Sequence, residues 1–115
     1  MKDKLLTILN YYGLDKQLKY FQSEIFELNE AVITKRDRDK FNPFVGLVNL
    51  SNRLSGTKDV YVEHIKEEIA DVLVMLEQIR LNYGIPTSEI KEVMEYKIDR
   101  QLERIKKDME ENKNE

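Results

Sequence analysis

The sequence of 115 residues contains no cysteine. That removes disulfides, thiolate metal sites and thiol nucleophiles together, and is compatible with a reducing compartment. Histidine is nearly absent as well: with His64 the single example, any metal must be held by oxygen or by that one imidazole. Four glycines and two prolines are too few for a sandwich or a disordered chain. No apolar run approaches the ~20 residues of a membrane span, and Met1-Lys2-Asp3-Lys4-Leu5-Leu6 has no apolar core long enough for a signal peptide, so a soluble, cytoplasmic protein is expected. A basic excess is also missing. The 19 Lys and Arg residues stand against 22 Asp and Glu, a net charge of -3, so no global field favours nucleic acid, and a polyphosphate ligand would need local basic groups or metal ions.

What is present points to long helices. Charged residues make up 36% and the hydrophobic set 41%, which predicts an all-α fold of four to five helices. The expected organisation is one domain over residues 1–108 with a polar tail over 109–115. A chain of this length buries a modest fraction of its surface alone, so completion of the bundle by oligomerisation is expected.

Leu5, Leu6, Ile8 and Leu9 predict a short first helix ending near Gly13, after which Asp15 is placed to cap a second. Leu18, Phe21, Ile25, Leu28 and Val32 follow a 3,4,3,4 spacing and predict a core stripe on a helix running to about Thr34. A charge cluster, Lys35 to Lys40, follows, and then Asn42 and Pro43 as cap and first turn of a short helix closed by Gly56. A third long element is predicted from about Val60 to Tyr83, with Ile65, Ile69, Val72, Leu76 and Ile79 as its core row and Gly84 as its stop. Pro86 and Thr87 open the last helix, expected to fray from Asp108 onward.

Four carboxylates stand on or beside the predicted core rows, and two of them, Glu68 and Asp71, where a solvated carboxylate does not belong. Glu24 and Glu27 are three apart, on a row with Tyr20 and Ala31 beside the predicted stripe. Glu68 falls between Ile65 and Val72 on the apolar row, and Asp71 directly precedes the run Val72 to Leu76. Four ionised carboxylates brought together near a core are strongly unfavourable unless protons or cations compensate them. Oxygen ligands of this kind favour hard ions, and magnesium, which keeps several waters while bridging carboxylates to phosphates, is the better match, with manganese as a substitute. The residues alone leave a second reading open, in which each pair is solvated or matched by Lys and Arg on its own helix.

The order Ser23-Glu24-Ile25-Phe26-Glu27-Leu28, followed by Glu67-Glu68-Ile69-Ala70-Asp71-Val72, resembles the paired acidic signature of the MazG-like, all-α nucleoside triphosphate pyrophosphohydrolases, an E-E-x-x-E segment followed by E-x-x-D. The resemblance runs on through Asn82-Tyr83-Gly84-Ile85-Pro86 to Lys97, Gln101 and Arg104, and spans roughly residues 15–106. It implies a MazG-like helical bundle, magnesium held by Glu24, Glu27, Glu68 and Asp71, phosphate contacts from Lys97, Gln101 and Arg104, and a homodimer or homotetramer as the working form. The implied reaction is cleavage of a nucleoside triphosphate between the α- and β-phosphates to a monophosphate and pyrophosphate, with Glu24 as the proton acceptor and Lys97 as a catalytic cation toward the β- or γ-phosphate. Ser23 stands where the signature has Glu, Gln101 where it has Asn, and about 40 residues separate the two acidic segments, more than is common in the family.

Several roles stay open at this level. Phe41, Asn42, Phe44, Asn49, Asn52 and Arg53 offer stacking and hydrogen-bonding groups for a base, although a short helix with Phe44, Leu47, Val48 and Leu50 more often packs at a subunit seam. His64 and Tyr20, each one turn before a proposed ligand, are candidates for hydrogen bonding to the metal shell. The same carboxylate set serves dUTP, dCTP and phosphoribosyl-ATP hydrolases. A non-catalytic helical interaction module is the alternative outside enzymes, and it predicts no response to magnesium.

Overall fold

A computed structural model describes residues 1–113. It is all-α, with helices α1 (Lys2–Tyr12), α2 (Leu14–Phe41), α3 (Val45–Ser55), α4 (Val60–Asn82) and α5 (Thr87–Lys113), and no strand among the described residues. The chain divides into two compact units, Met1–Asn82 and Tyr83–Glu115.

In the first unit Leu5 and Leu9, one turn apart on α1, are buried. Gly13 ends α1 and starts α2. At φ 84° it gives its N–H to the Leu9 carbonyl at 2.8 Å, and its own carbonyl accepts from the Gln17 N–H at 3.1 Å. A side chain at that φ is strained, which makes the glycine the junction. Asp15 is therefore not the cap: Gly13 is, and Asp15 lies in the first turn, where a negative charge suits the helix dipole.

Helix α2 runs on past Thr34 through the charge cluster to Phe41. Lys35 Nζ donates to Asp39 Oδ1 at 2.7 Å, a pair one turn apart, and to Asp59 Oδ2 at 2.9 Å across the groove. Arg38 lies 3.6 Å from Asp59 and covers the Tyr61 ring at 4.6 Å from its centre. Asp59 also caps α4, its Oδ1 accepting from the N–H groups of Tyr61 at 2.8 Å and Val62 at 3.4 Å. The cluster thus ties the end of α2 to the start of α4. Between them, Asn42 Oδ1 accepts from the Phe44 N–H at 2.9 Å ahead of α3, and Gly56, in the left-handed region at φ 71°, closes it.

The core of this unit differs from the predicted stripes. On α2 the buried residues are Gln17 and Ala31, while Leu18, Ile25 and Val32 are exposed. On α4 they are Glu68, Met75 and Gln78, while Ile69 and Leu76 are exposed. Phe21, Leu28, Ile65, Val72 and Ile79 are half-buried. The physical reason is that the apolar surface of both helices is wider than the contact between them. Gln17 Nε2 donates to Gln78 Oε1 at 2.8 Å, and this satisfied amide pair, with Gln78 only 2% exposed, occupies space a purely apolar stripe would have claimed.

In the second unit Gly84, at φ 64°, precedes α5, and the Pro86 carbonyl accepts from Glu89 and Ile90. Helix α5 does not fray at Asp108 but continues to Lys113; Glu103 and Lys107, Lys106 and Glu110, and Lys107 and Glu111 stand four apart in sequence, a spacing of opposite charges that favours the helix. The last two residues of the expected tail, 114 and 115, lie outside the described residues. Ile90, Met94, Ile98, Leu102, Ile105 and Met109 make an exposed stripe on α5. No described helix is long and apolar enough to cross a membrane.

Candidate metal centre

Glu24 and Glu27 project from α2 one turn apart, and Glu68 and Asp71 from α4 likewise. These two helices form the main packing contact of the first unit, so residues distant in sequence meet across it. Glu24, Glu68 and Asp71 each offer a carboxylate oxygen, all within 4.8 Å of one another. Glu68 is buried at 8% exposure, Glu24 is half-buried and Asp71 is exposed, so the set opens toward solvent on the Asp71 side.

Two of these carboxylates are incomplete. Glu24 Oε2 and Glu68 Oε2 are buried and have no hydrogen-bond partner. Burial pushes the Glu24 carboxyl above its ordinary value, and the negative charges of Asp71, Glu27 and Glu68 push it further. Glu68 shifts the same way, through burial first and then the charges of Glu27 and Asp71, partly countered by His64. His64 Nε2 stands 3.9 Å from Glu68 Oε1. No lysine or arginine forms an ion pair with Glu24, Glu27, Glu68 or Asp71 among the described residues. An orphaned pair of buried acceptors in an all-oxygen donor set without cationic neighbours fits a hard divalent ion such as magnesium.

Lys97, Gln101 and Arg104 lie on one face of α5, at positions i, i+4 and i+7, all exposed. They belong to the second unit and the carboxylates to the first.

From Glu27 and Glu68 the groove between α2 and α4 widens into a cleft of about 620 Å³ whose walls include Phe26, Glu30, Thr34, Tyr61 and His64. The side chains that the sequence offers for a base lie outside this cleft: Phe41 and Phe44 are exposed beside α3, and Asn49, Asn52 and Arg53 line a separate polar cleft with Lys35, Asp39 and Asp59. Phe26 and Tyr61 were missed from sequence. Their signal is positional, since Tyr61, His64 and Glu68 share one face of α4 and Phe26 adjoins Glu27.

No protein-family model matches this chain, and no curated protein or solved structure is significantly similar to it.

Proposed function

We propose that the chain is a nucleoside triphosphate pyrophosphohydrolase, converting a ribo- or deoxyribonucleoside triphosphate and water to the monophosphate and pyrophosphate. The observation that carries this reading is the pair of unpartnered buried oxygens, Glu24 Oε2 and Glu68 Oε2, in a set with Asp71 that resembles the paired acidic signature in order, with Ser23 in place of its first Glu and a longer separation between the two segments. Glu24, Glu27, Glu68 and Asp71 are the residues to hold magnesium, or manganese in its place. The ion would neutralise phosphate charge and lower the pKa of a bound water.

The remaining chemistry falls to the chain itself. Glu24 is proposed as the proton acceptor for water attacking the α-phosphorus, through a carboxylate oxygen not engaged by the metal. Glu68 is buried on α4, as are Met75 and Gln78 further along the same helix, so its carboxylate is carried by a packed element rather than a loop. The resemblance implies Lys97, Gln101 and Arg104 as the phosphate contacts, and they are proposed on that ground alone; Lys97 and Arg104 would bring positive charge to a triphosphate. Exposed apolar side chains on α2 and α4 support a homodimer or homotetramer as the working form.

Hydrolysis in water enriched in oxygen-18 tests the reaction. Attack at the α-phosphorus places the label in the nucleoside monophosphate and none in pyrophosphate. Label in pyrophosphate, or release of orthophosphate instead, contradicts the proposal.

A further inference from the structure

The cleft between α2 and α4 is contiguous with the carboxylate set, since Glu27 and Glu68 line it. Resting on the pyrophosphohydrolase reading, we infer that this cleft is the base-side subsite and that it selects a guanine base, held by the aromatic walls of Phe26 and Tyr61 and read by the Glu30 carboxylate.

The geometry argues for a base there. Tyr61 lies seven positions before Glu68 on α4, about 10 Å along the helix at 1.5 Å per residue, a reach suited to a sugar and base whose phosphates sit at the carboxylates. Phe26, Ala31, Val60 and Tyr61 make the walls largely apolar, which suits the least polar part of a nucleotide. The Tyr61 ring has a cover before any ligand arrives: Arg38 lies over it at 4.6 Å, with its Nη1 in ion-pair range of Asp39 and Asp59 at 3.7 and 3.6 Å but hydrogen-bonded to neither. A ring covered this way loses little freedom when a base stacks on it.

Glu30 supplies the choice among bases. It lines the cleft one turn after Glu27, and no hydrogen bond or ion pair engages it among the described residues. An ionised carboxylate only accepts hydrogen bonds. Guanine presents two adjacent donors, N1–H and the N2 amino group, which a carboxylate can accept together. Adenine and cytosine place one amino group beside a ring-nitrogen acceptor, and uracil places its N–H between two carbonyl oxygens. Each of these leaves an acceptor facing the carboxylate, a mismatch that a site built for hydrogen bonding rejects strongly.

The test is direct binding to the full chain in magnesium, by isothermal titration calorimetry with α,β-methylene triphosphates of the four bases and with tripolyphosphate, which has no base. We expect the guanine nucleotide to bind at least about tenfold more tightly than the adenine one. Phe26→Ala should weaken the guanine nucleotide by about tenfold while its affinity for tripolyphosphate stays the same. Glu30→Gln, which removes one acceptor, should erase most of the difference between guanine and adenine. Both positions are exposed, and a melting curve checks that each variant folds. Four nucleotides of equal affinity, indifferent to Phe26→Ala, with tripolyphosphate still bound, would overturn the base subsite and leave the pyrophosphohydrolase reading standing. No binding of any of the five would overturn both.

Discussion

Glu24 on α2 and Glu68 on α4 each bury one carboxylate oxygen, Oε2, that meets no hydrogen-bond donor, although oxygens of both groups lie within 4.8 Å of a third carboxylate, that of Asp71. Buried acceptors are almost always satisfied, and leaving one unpaired costs about 1–3 kcal/mol, more when it is charged. The arrangement therefore weakens the fold unless a proton or a cation compensates it.

Glu68→Gln should raise the melting midpoint of the metal-free protein at neutral pH, because it removes a buried charge from a repelling set. In the native protein the folded-state pKa values of Glu24 and Glu68 lie above the ordinary value, so the folded state holds more protons than the unfolded one. Stability contributed by these groups then falls as pH rises from the ordinary carboxylate range through the raised values, and stays low above them. Magnesium should reverse that loss, by about 2.7 kcal/mol at 100 times its dissociation constant, and Glu68→Gln should abolish the response. Melting curves across pH, with magnesium and with chelator, check both.

The amide pair in the core sets a second expectation. Gln78→Leu strands the Gln17 amide that donates to it, and should destabilise the fold by about 1–3 kcal/mol. The double substitution Gln17→Leu with Gln78→Leu should recover most of that loss, since replacing both partners by apolar groups of similar volume leaves nothing unpaired. Urea unfolding of the four proteins in the cycle reads the coupling.

Asp59 joins two jobs, capping α4 and pairing with Lys35. Asp59→Ala should cost about 2 kcal/mol or more, while Asp59→Asn, which can still cap the helix, should cost less. The Lys35 hydrogen bond holds the Asp59 carboxyl below its ordinary value, so its contribution is present above the ordinary aspartate range and is lost as pH falls through the folded-state value. Acid unfolding should be shallower in Asp59→Asn than in the native protein.

Leu18, Ile25 and Val32 on α2, seven apart, and Ile69, Leu73 and Leu76 on α4 remain exposed within the first unit. If oligomerisation covers these rows, the native chain sediments as a dimer or tetramer, and Leu73→Glu shifts it to monomer at micromolar concentration. Sedimentation velocity on the two proteins decides this.

Helix boundaries marked by a backbone requirement were legible in the sequence. Gly13, Gly56 and Gly84 each adopt positive φ at a helix end, where a residue without Cβ is needed. What the local pattern could not reveal came from partners far along the chain. Helix α2 extends beyond Thr34 because Lys35 and Arg38 find Asp59, and Gln17 is buried because Gln78 faces it. Periodicity located the apolar rows on α2 and α4 but not which row faces inward, since both helices carry more apolar surface than one contact can cover. The burial of Glu68 was legible because a charge on a predicted apolar row is conspicuous, whereas Glu27 and Asp71, placed beside such rows, are exposed. Phe26 and Tyr61 were not, because aromatic residues at helical spacing read first as core.

Pyrophosphate release from a panel of ribo- and deoxyribonucleoside triphosphates, in magnesium and in chelator, tests the central claim most directly. The native chain should release pyrophosphate only with the metal. Glu68→Ala and Asp71→Ala, folded by their melting curves, should each lose at least about 100-fold in rate, at or beyond what is typical for groups that only orient metal ligands. Release that persists in chelator, or that survives both substitutions undiminished, would contradict the account.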